Sequence, residues 1–303
     1  MQPMLHSNPP GKWFSFSTMK RIALATSSAH PTLNDDDRLL IPALRDHGLA
    51  AEPAVWDSPD VRWEVFQGVV VRSCWDYHHR LEEFLAWVSG LERAGVRVWN
   101  PPAVLRWNSH KGYLGDLAVR GVPIVPTRWL ARGERIELTR VLREEGWRSA
   151  VVKPAVSASA SGTWPTGPDG AGDDQARLDE LLQAGDVMVQ PLVDEVRETG
   201  EWSLLFYGGQ FSHAVLKRPA AGDYRVQWEF GGSAVSAVAP AHLIAGAERV
   251  LAAAPGDLLY ARVDGVERNG QLVLMELELI EPHLFLGWDE RAAGRLAAAV
   301  TRL

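Results

Sequence analysis

The chain contains one cysteine, Cys74, among 303 residues. No internal disulfide can therefore form, and a reducing cytoplasm is the expected setting. No apolar run approaches the ~20 residues that a membrane span requires. The run Ile22-Ala23-Leu24-Ala25 is also too short for a signal-peptide core of ~7–15 residues. Positive charge is in deficit: the net charge of -7 argues against a nucleic-acid partner, which would call for a basic face. Two motifs are missing as well. No G-x-x-x-x-G-K-[ST] phosphate loop occurs, and the histidines never take H-E-x-x-H spacing, so His78-His79 reads as a solvated helix start. What remains is an ordinary globular composition, 46% hydrophobic and 23% charged, with enough chain for two or three lobes. An acidic chain of this kind can still bind an anionic nucleotide where lysines and a metal are placed locally.

Strand and helix alternate over the first third. Residues 22–26 and 69–71 are continuous apolar strands, 39–48 a helix closed by glycine, and 96–99 a further strand. Leu81, Phe84, Leu85, Val88 and Leu91 form a helical stripe that ends at Gly95. This order predicts an α/β fold opening on a small Rossmann-like parallel sheet, with ligand loops beyond the carboxyl ends of its strands. Ser28 lies in one such loop, and Arg72, Asp76 and Tyr77 lie in the other. A guanidinium at a strand end suits bidentate capture of a carboxylate. The alternative is that Arg72 pairs with an acid of its own lobe while Asp76 caps the next helix. The expected divisions are a disordered extension at 1–18, a substrate-side sheet domain at 19–105, a central lid lobe at 106–190 and a C-terminal lobe at 191–303. Met19 is a candidate start.

Further on, acids and lysines stand in unusual places. Residues 274–281 (Leu-Met-Glu-Leu-Glu-Leu-Ile-Glu) alternate with period 2, so Glu276 and Glu278 share one face of a strand. Residues 259–264 form the partner strand and end at Asp264, across a turn at 267–270. Acids gathered by this hairpin repel one another unless neutralised, and a hard cation shared with nucleotide phosphates does so; an edge hairpin facing water is the bland alternative. Lys153 ends the apolar strand 149–152, an expensive place for an unpaired ammonium. The Ser/Ala/Gly loop at 155–163 follows it, with backbone N–H groups free to approach phosphate oxygens or simply to flex at the surface. Lys111 opens a helix, residues 186–193 form a strand running into an acid-rich turn, and residues 202–217 read as a hairpin around Gly208-Gly209.

The order of these parts, over about residues 21–286, resembles the ATP-grasp superfamily and in particular its glutathione-synthetase branch. The stretches at 72–78, 99–101, 211–217 and 275–282 look similar to a narrower group around D-cycloserine synthetase. The resemblance implies an ATP-grasp fold and an ADP-forming carboxylate–amine ligase that uses ATP and Mg²⁺ and passes through an acyl phosphate. It implies a small amino-acid-like substrate, with cyclisation of O-ureido-D-serine as the reaction of the narrower group. By the same resemblance Lys111 and Lys153 hold phosphates, and the loop carrying Ser157, Ser159, Ser161 and Gly162 closes over them. Gln190, Pro191, Leu192 and Val193 line the adenine pocket, and Glu201 takes the ribose hydroxyls. Asp264, Glu276 and Glu278 bind Mg²⁺, Arg225 steadies the acyl phosphate, and Lys217 assists at the substrate.

Two departures from the family pattern are visible. Glu278 stands where asparagine is common, and serines and alanines replace glycines in the phosphate loop, which stiffens it. Trp75 and Trp228 are the expected pocket walls among 13 tryptophans. A homodimer is a candidate assembly, with neither nucleic acid nor membrane as partner. A phosphotransferase that forms no amide, and a nucleotide-binding protein without turnover, are the rival functions.

Overall fold

The computed structural model describes residues 19–158, 160–227 and 230–302. The extension expected at 1–18, the phosphate-loop Ser159 and the wall residue Trp228 lie outside the described residues.

Three sheets organise the chain. In the first, β1 (Lys20–Thr26) pairs in parallel with β2 (Leu49–Val55) and β3 (Gly68–Val71), and β4 (Arg97–Trp99) extends the order to β2-β1-β3-β4. Both faces of this sheet are buried. Ile22 and Leu24 of β1 join one core with Leu40 and Leu44, while Ala23 and Ala25 join another with Phe84, Val88 and Leu91. Alternation along one strand thus feeds two helix layers. These are α1 (Asp35–Arg38) with α2 (Leu40–Asp46) on one side, and α3 (Leu81–Arg93) on the other.

The chain then crosses through α4 (Pro102–Asn108) and α5 (Tyr113–Val119). A four-stranded lid sheet follows, built from β5 (Arg128–Leu130), β6 (Ala150–Pro154), β7 (Trp164–Thr166) and β8 (Val187–Pro191) in the order β5-β8-β6-β7. Its core is closed by α6 (Leu138–Glu145) and α7 (Gln175–Ala184), whose Leu138, Val141, Leu142, Leu178 and Leu182 pack on Ala150 and Val152. By packing, residues 106–125 go with the third sheet rather than with the lid. Val104, Tyr113, Leu114 and Leu117 share a core with Leu204, Phe206 and Leu274, and Ile124 bridges to Leu274.

After the short α8 (Glu195–Glu198) comes the third sheet, made of β9 (Glu201–Tyr207), β10 (Gln210–Arg218), β11 (Ser233–Ala237), β12 (Tyr260–Arg268) and β13 (Gln271–Glu278) in the order β11-β10-β9-β12-β13. Helix α9 (Ala241–Ala253) covers one face. The C-terminal α10 (Ala292–Arg302) packs beside α2, so that Leu205, Tyr207, Val215 and Tyr260 share a core with the first lobe.

Candidate active site

Strand alternation puts the charges of the third sheet on the face that meets the first lobe. On β9, Leu205 and Tyr207 of that face are in the shared core, and two and four residues earlier Ser203 and Glu201 continue it. The same rule sets Lys217 beyond Val215, and Arg262 and Asp264 beyond Tyr260. Cross-strand register completes a row: Lys217 lies opposite Glu201, Ser203 opposite Asp264, Asp264 opposite Glu276, and Arg262 opposite Glu278. A bulge after Asp264 leaves Met275 without a partner. Gly265 is required there, because a Cβ would fall 2.5 Å from the Val273 carbonyl oxygen.

This row forms one wall of a cavity of about 410 Å³, within the size range of small-molecule sites. Lys111, Lys153, Ser157, Gln190, Pro191, Leu192, Val193, Glu201, Lys217, Arg225, Asp264, Glu276 and Glu278 line it, as do Trp75 and Tyr77. Opposite the row stands β6, whose Val151 and Lys153 face the cavity while Ala150 and Val152 enter the lid core. Lys111 joins the two walls: its Nζ lies 2.7 Å from Glu276 Oε1 and donates to the Ser157 carbonyl at 2.8 Å.

The electrostatics are crowded. Glu201 meets Lys217 at 2.5 Å, and Lys217 lies 3.4 Å from Asp264. Arg262 donates to Asp264 at 2.9 Å and also engages Glu278. Burial works against the Glu276 carboxylate, but Lys111 and Lys153 outweigh it and hold the group below its ordinary range. Burial prevails at Glu278, which is pushed up to about 8 despite Arg262, with Glu276 and Asp264 adding repulsion. Glu281 is likewise pushed up to about 7, chiefly by burial. Lys153 has no hydrogen-bond or ion-pair partner among the described residues, and burial brings it down to about 8. An unpaired ammonium facing a cavity is costly unless an anion enters.

Among the described residues no three carboxylate, imidazole or thiol groups assemble as a metal-holding set. Asp264, Glu276 and Glu278, expected to bind Mg²⁺, nevertheless line one cavity, with Asp264 directly opposite Glu276. Arg262 and Ser203 occupy the Asp264 oxygens, the Ser203 hydroxyl donating at 2.5 Å. Glu276 and Glu278 still fit a hard cation, because Mg²⁺ takes one or two carboxylates and completes its shell with phosphate oxygens and water. The acids Glu201, Asp264, Glu276, Glu278 and Glu281 match Lys111, Lys153, Lys217, Arg225 and Arg262 around the cavity, so a polyanionic nucleotide needs added positive charge there.

Several expected substrate contacts are corrected. Arg72, 1% exposed, does not face the cavity. It meets Asp37 at 2.9 Å, the own-lobe pairing weighed above, and also donates to the Pro282 carbonyl of the C-terminal lobe at 2.6 Å. Asp76 accepts from Trp56 Nε1 at 3.1 Å and from Arg80 at 2.7 Å, and makes no helix-cap bond. Ser28 is exposed in a turn, away from the cavity lining. Ser161 and Gly162 are exposed and also outside the lining, whereas Ser157, Ala158, Ala160 and Thr163 of the same loop belong to it. Lys217 lines the cavity but neutralises Glu201 and Asp264. The Gln190 amide donates to Thr127 Oγ1 at 2.8 Å, leaving the backbone beyond it to face the cavity. Arg225 grips Asp223 in bidentate fashion (3.1 and 2.9 Å) and lies 3.5 Å over the Phe230 ring.

Sequence reasoning missed Arg262, although its place two residues before Asp264 on one strand face was a usable signal. It also missed two asparagines that hold the hairpin in place. Asn108 pairs with Leu277 and Leu279 (2.8 Å each), and Asn100 bonds the carbonyls of Tyr260 and Leu279 and the amide of Leu259.

Comparison with known proteins gives consistent relatives. The family model described as the N-terminal domain of D-cycloserine synthetase DcsG matches residues 22–100. The cycloserine biosynthesis protein DcsG of Streptomyces lavendulae is 33% identical over 297 residues, which cover 92% of this chain and 97% of that one. A crystal structure of D-cycloserine synthetase DcsG is similar with a TM-score of 0.83 at 31% identity, covering 93% of this chain and 99% of that one. Glutathione synthetase of Ralstonia nicotianae is 27% identical over 231 residues, 70% of this chain and 67% of that one. A RimK domain ATP-grasp protein from Sphaerobacter thermophilus shares the fold, with a TM-score of 0.67 at 18% identity over 92% of this chain and 98% of that one.

Proposed function

This chain belongs to the ATP-grasp family that includes D-cycloserine synthetase and is an ATP-dependent ligase forming carbon–nitrogen bonds; we propose that it closes a small amino-acid-like substrate on itself. The similarity over nearly the whole of D-cycloserine synthetase carries this reading, and Lys153, an unpartnered ammonium facing the charged row across one cavity, supports its nucleotide end. Lys111, bonded to both the lid loop and Glu276, belongs to the same phosphate end.

A carboxylate is a poor electrophile. Transfer of the γ-phosphoryl group to a substrate carboxylate oxygen gives an acyl phosphate and ADP. The substrate nitrogen then attacks the acyl carbon, the C–O bond to the bridging oxygen breaks, phosphate departs carrying that one carboxylate-derived oxygen, and the nitrogen loses its proton. Catalysis here is positioning and charge stabilisation. Lys111 and Lys153 would neutralise the migrating phosphoryl group, and Ser157 with its neighbours would cover it. The backbone at Pro191, Leu192 and Val193 would border the base, and Glu201 would reach the ribose while keeping Lys217. Glu276 and Glu278 would hold Mg²⁺, which would offset phosphate charge when bound; Asp264 would join them only by releasing Arg262. Arg225 would meet the acyl phosphate from the far wall while staying on Asp223.

The test is an incubation with ATP, Mg²⁺ and a panel of small amino acids, among them β-aminooxyalanine, whose N–O side chain can close on its own carboxylate. ADP is expected in step with a product lighter by one water. Turnover only when a separate amine is added would contradict self-closure.

A further inference from the structure

With Arg72 held by Asp37 and the Pro282 carbonyl and Asp76 by Trp56 and Arg80, the amino-acid end of the substrate needs another anchor. Among the described residues lining the cavity, every carboxylate but one has a basic partner. Glu276 has Lys111, Glu201 has Lys217, and Asp264 and Glu278 share Arg262. The exception is Glu281, 8% exposed, whose side-chain oxygens have no hydrogen-bond or ion-pair partner. Its backbone is held from several sides. Trp75 Nε1 donates to the Glu281 carbonyl at 3.1 Å, the Tyr260 hydroxyl to Ile280 at 2.8 Å, and Arg72 to Pro282 at 2.6 Å. The backbone that carries this carboxylate is thus held in place before anything binds. Tyr77, 6% exposed, lines the same part of the cavity with no partner for its hydroxyl among the described residues. A buried carboxylate beside a free phenol, walled by an indole, is complementary to an ammonium.

We propose that Glu281, assisted by the Tyr77 hydroxyl, is the specificity-determining anchor for the ammonium group of the substrate. This rests on the self-closing ligase reading above. It also gives Arg72 a positioning role, since that guanidinium holds the peptide that aims Glu281.

Two probes separate the possibilities: β-aminooxyalanine, which carries the ammonium, and 3-(aminooxy)propanoate, which lacks it and can still close. ADP release is measured for both, with KM for ATP and half-saturation by Mg²⁺. The wild type should favour the ammonium probe by on the order of 100-fold or more in kcat/KM, as sites built around a polar group do. Glu281→Gln should bring the two probes within about tenfold, through the amino-acid KM, with KM for ATP nearly unchanged. Tyr77→Phe should narrow the preference in the same direction, which guards against a poorly folded Glu281 variant. Retained preference in both variants overturns the proposal. So does a Glu281→Gln whose Mg²⁺ requirement rises while its preference stays, because the carboxylate then serves the metal. A wild type that turns over neither probe contradicts the self-closing reading itself, and the anchor falls with it.

Discussion

Lys111 Nζ sits 2.7 Å from Glu276 Oε1 and 2.8 Å from the Ser157 carbonyl, joining the lid to the C-terminal sheet through one ammonium. The contact shows how the cavity is poised: Lys111 is satisfied before a nucleotide arrives, whereas Lys153 is not.

Lys153→Ala is therefore expected to lower kcat/KM for ATP by about 2–4 kcal/mol in transition-state terms. The fold should persist, because an unpaired ammonium contributes little to stability. Steady-state kinetics beside a thermal melt would check both parts.

The pH dependence follows from the same side chain. Lys153 in the free protein is lowered to about 8, and bound phosphates would raise it again. It carries its charge below that pH and loses it above, so nucleotide binding takes up a proton on the alkaline side. KM for ATP should be level below about pH 7 and climb by roughly tenfold per pH unit above 8. Lys153→Ala should abolish that alkaline limb; an unchanged profile would assign the limb to another group.

Glu276→Gln should nearly abolish turnover and raise the Mg²⁺ requirement, since it removes a cation ligand and the partner of Lys111 together. Activity matching the wild type at low Mg²⁺ would remove Glu276 from the metal site.

Arg72→Ala tests a structural assignment. Asp37 and the Pro282 carbonyl would both lose a buried partner, and breaking a buried pair costs about 3–5 kcal/mol. A large fall in melting temperature is expected. A fully stable variant with only a raised amino-acid KM would return Arg72 to direct substrate contact.

Much of this was legible from the chain. A continuous apolar run revealed β1, the Gly208-Gly209 turn revealed the hairpin of β9 and β10, and period-2 alternation revealed β13 and placed Glu276 and Glu278 together. Lys153 stood out because an apolar strand is a poor place for a cation. The Arg72 assignment failed for a physical reason: a strand end says where a side chain begins, but Pro282, its partner, arrives from 210 residues away. Asp76 was drawn off by Trp56 and Arg80 in the same way. Arg262 was overlooked, so the repulsion among the hairpin acids was counted without the guanidinium on the same face that offsets part of it. Residues 106–125 were placed with the lid by sequence order, but Tyr113, Leu114, Leu117 and Val122 pack on the third sheet.

The most direct test follows oxygen. The cyclisable amino-acid substrate found in the panel, labelled with ¹⁸O in its carboxylate, would be turned over with ATP and Mg²⁺ and the released phosphate analysed by mass. One ¹⁸O per phosphate is expected, carried by the oxygen that bridged carbon and phosphorus in the acyl phosphate. Phosphate free of label alongside ADP would mean that water or another acceptor took the phosphoryl group, and the ligase account would be wrong.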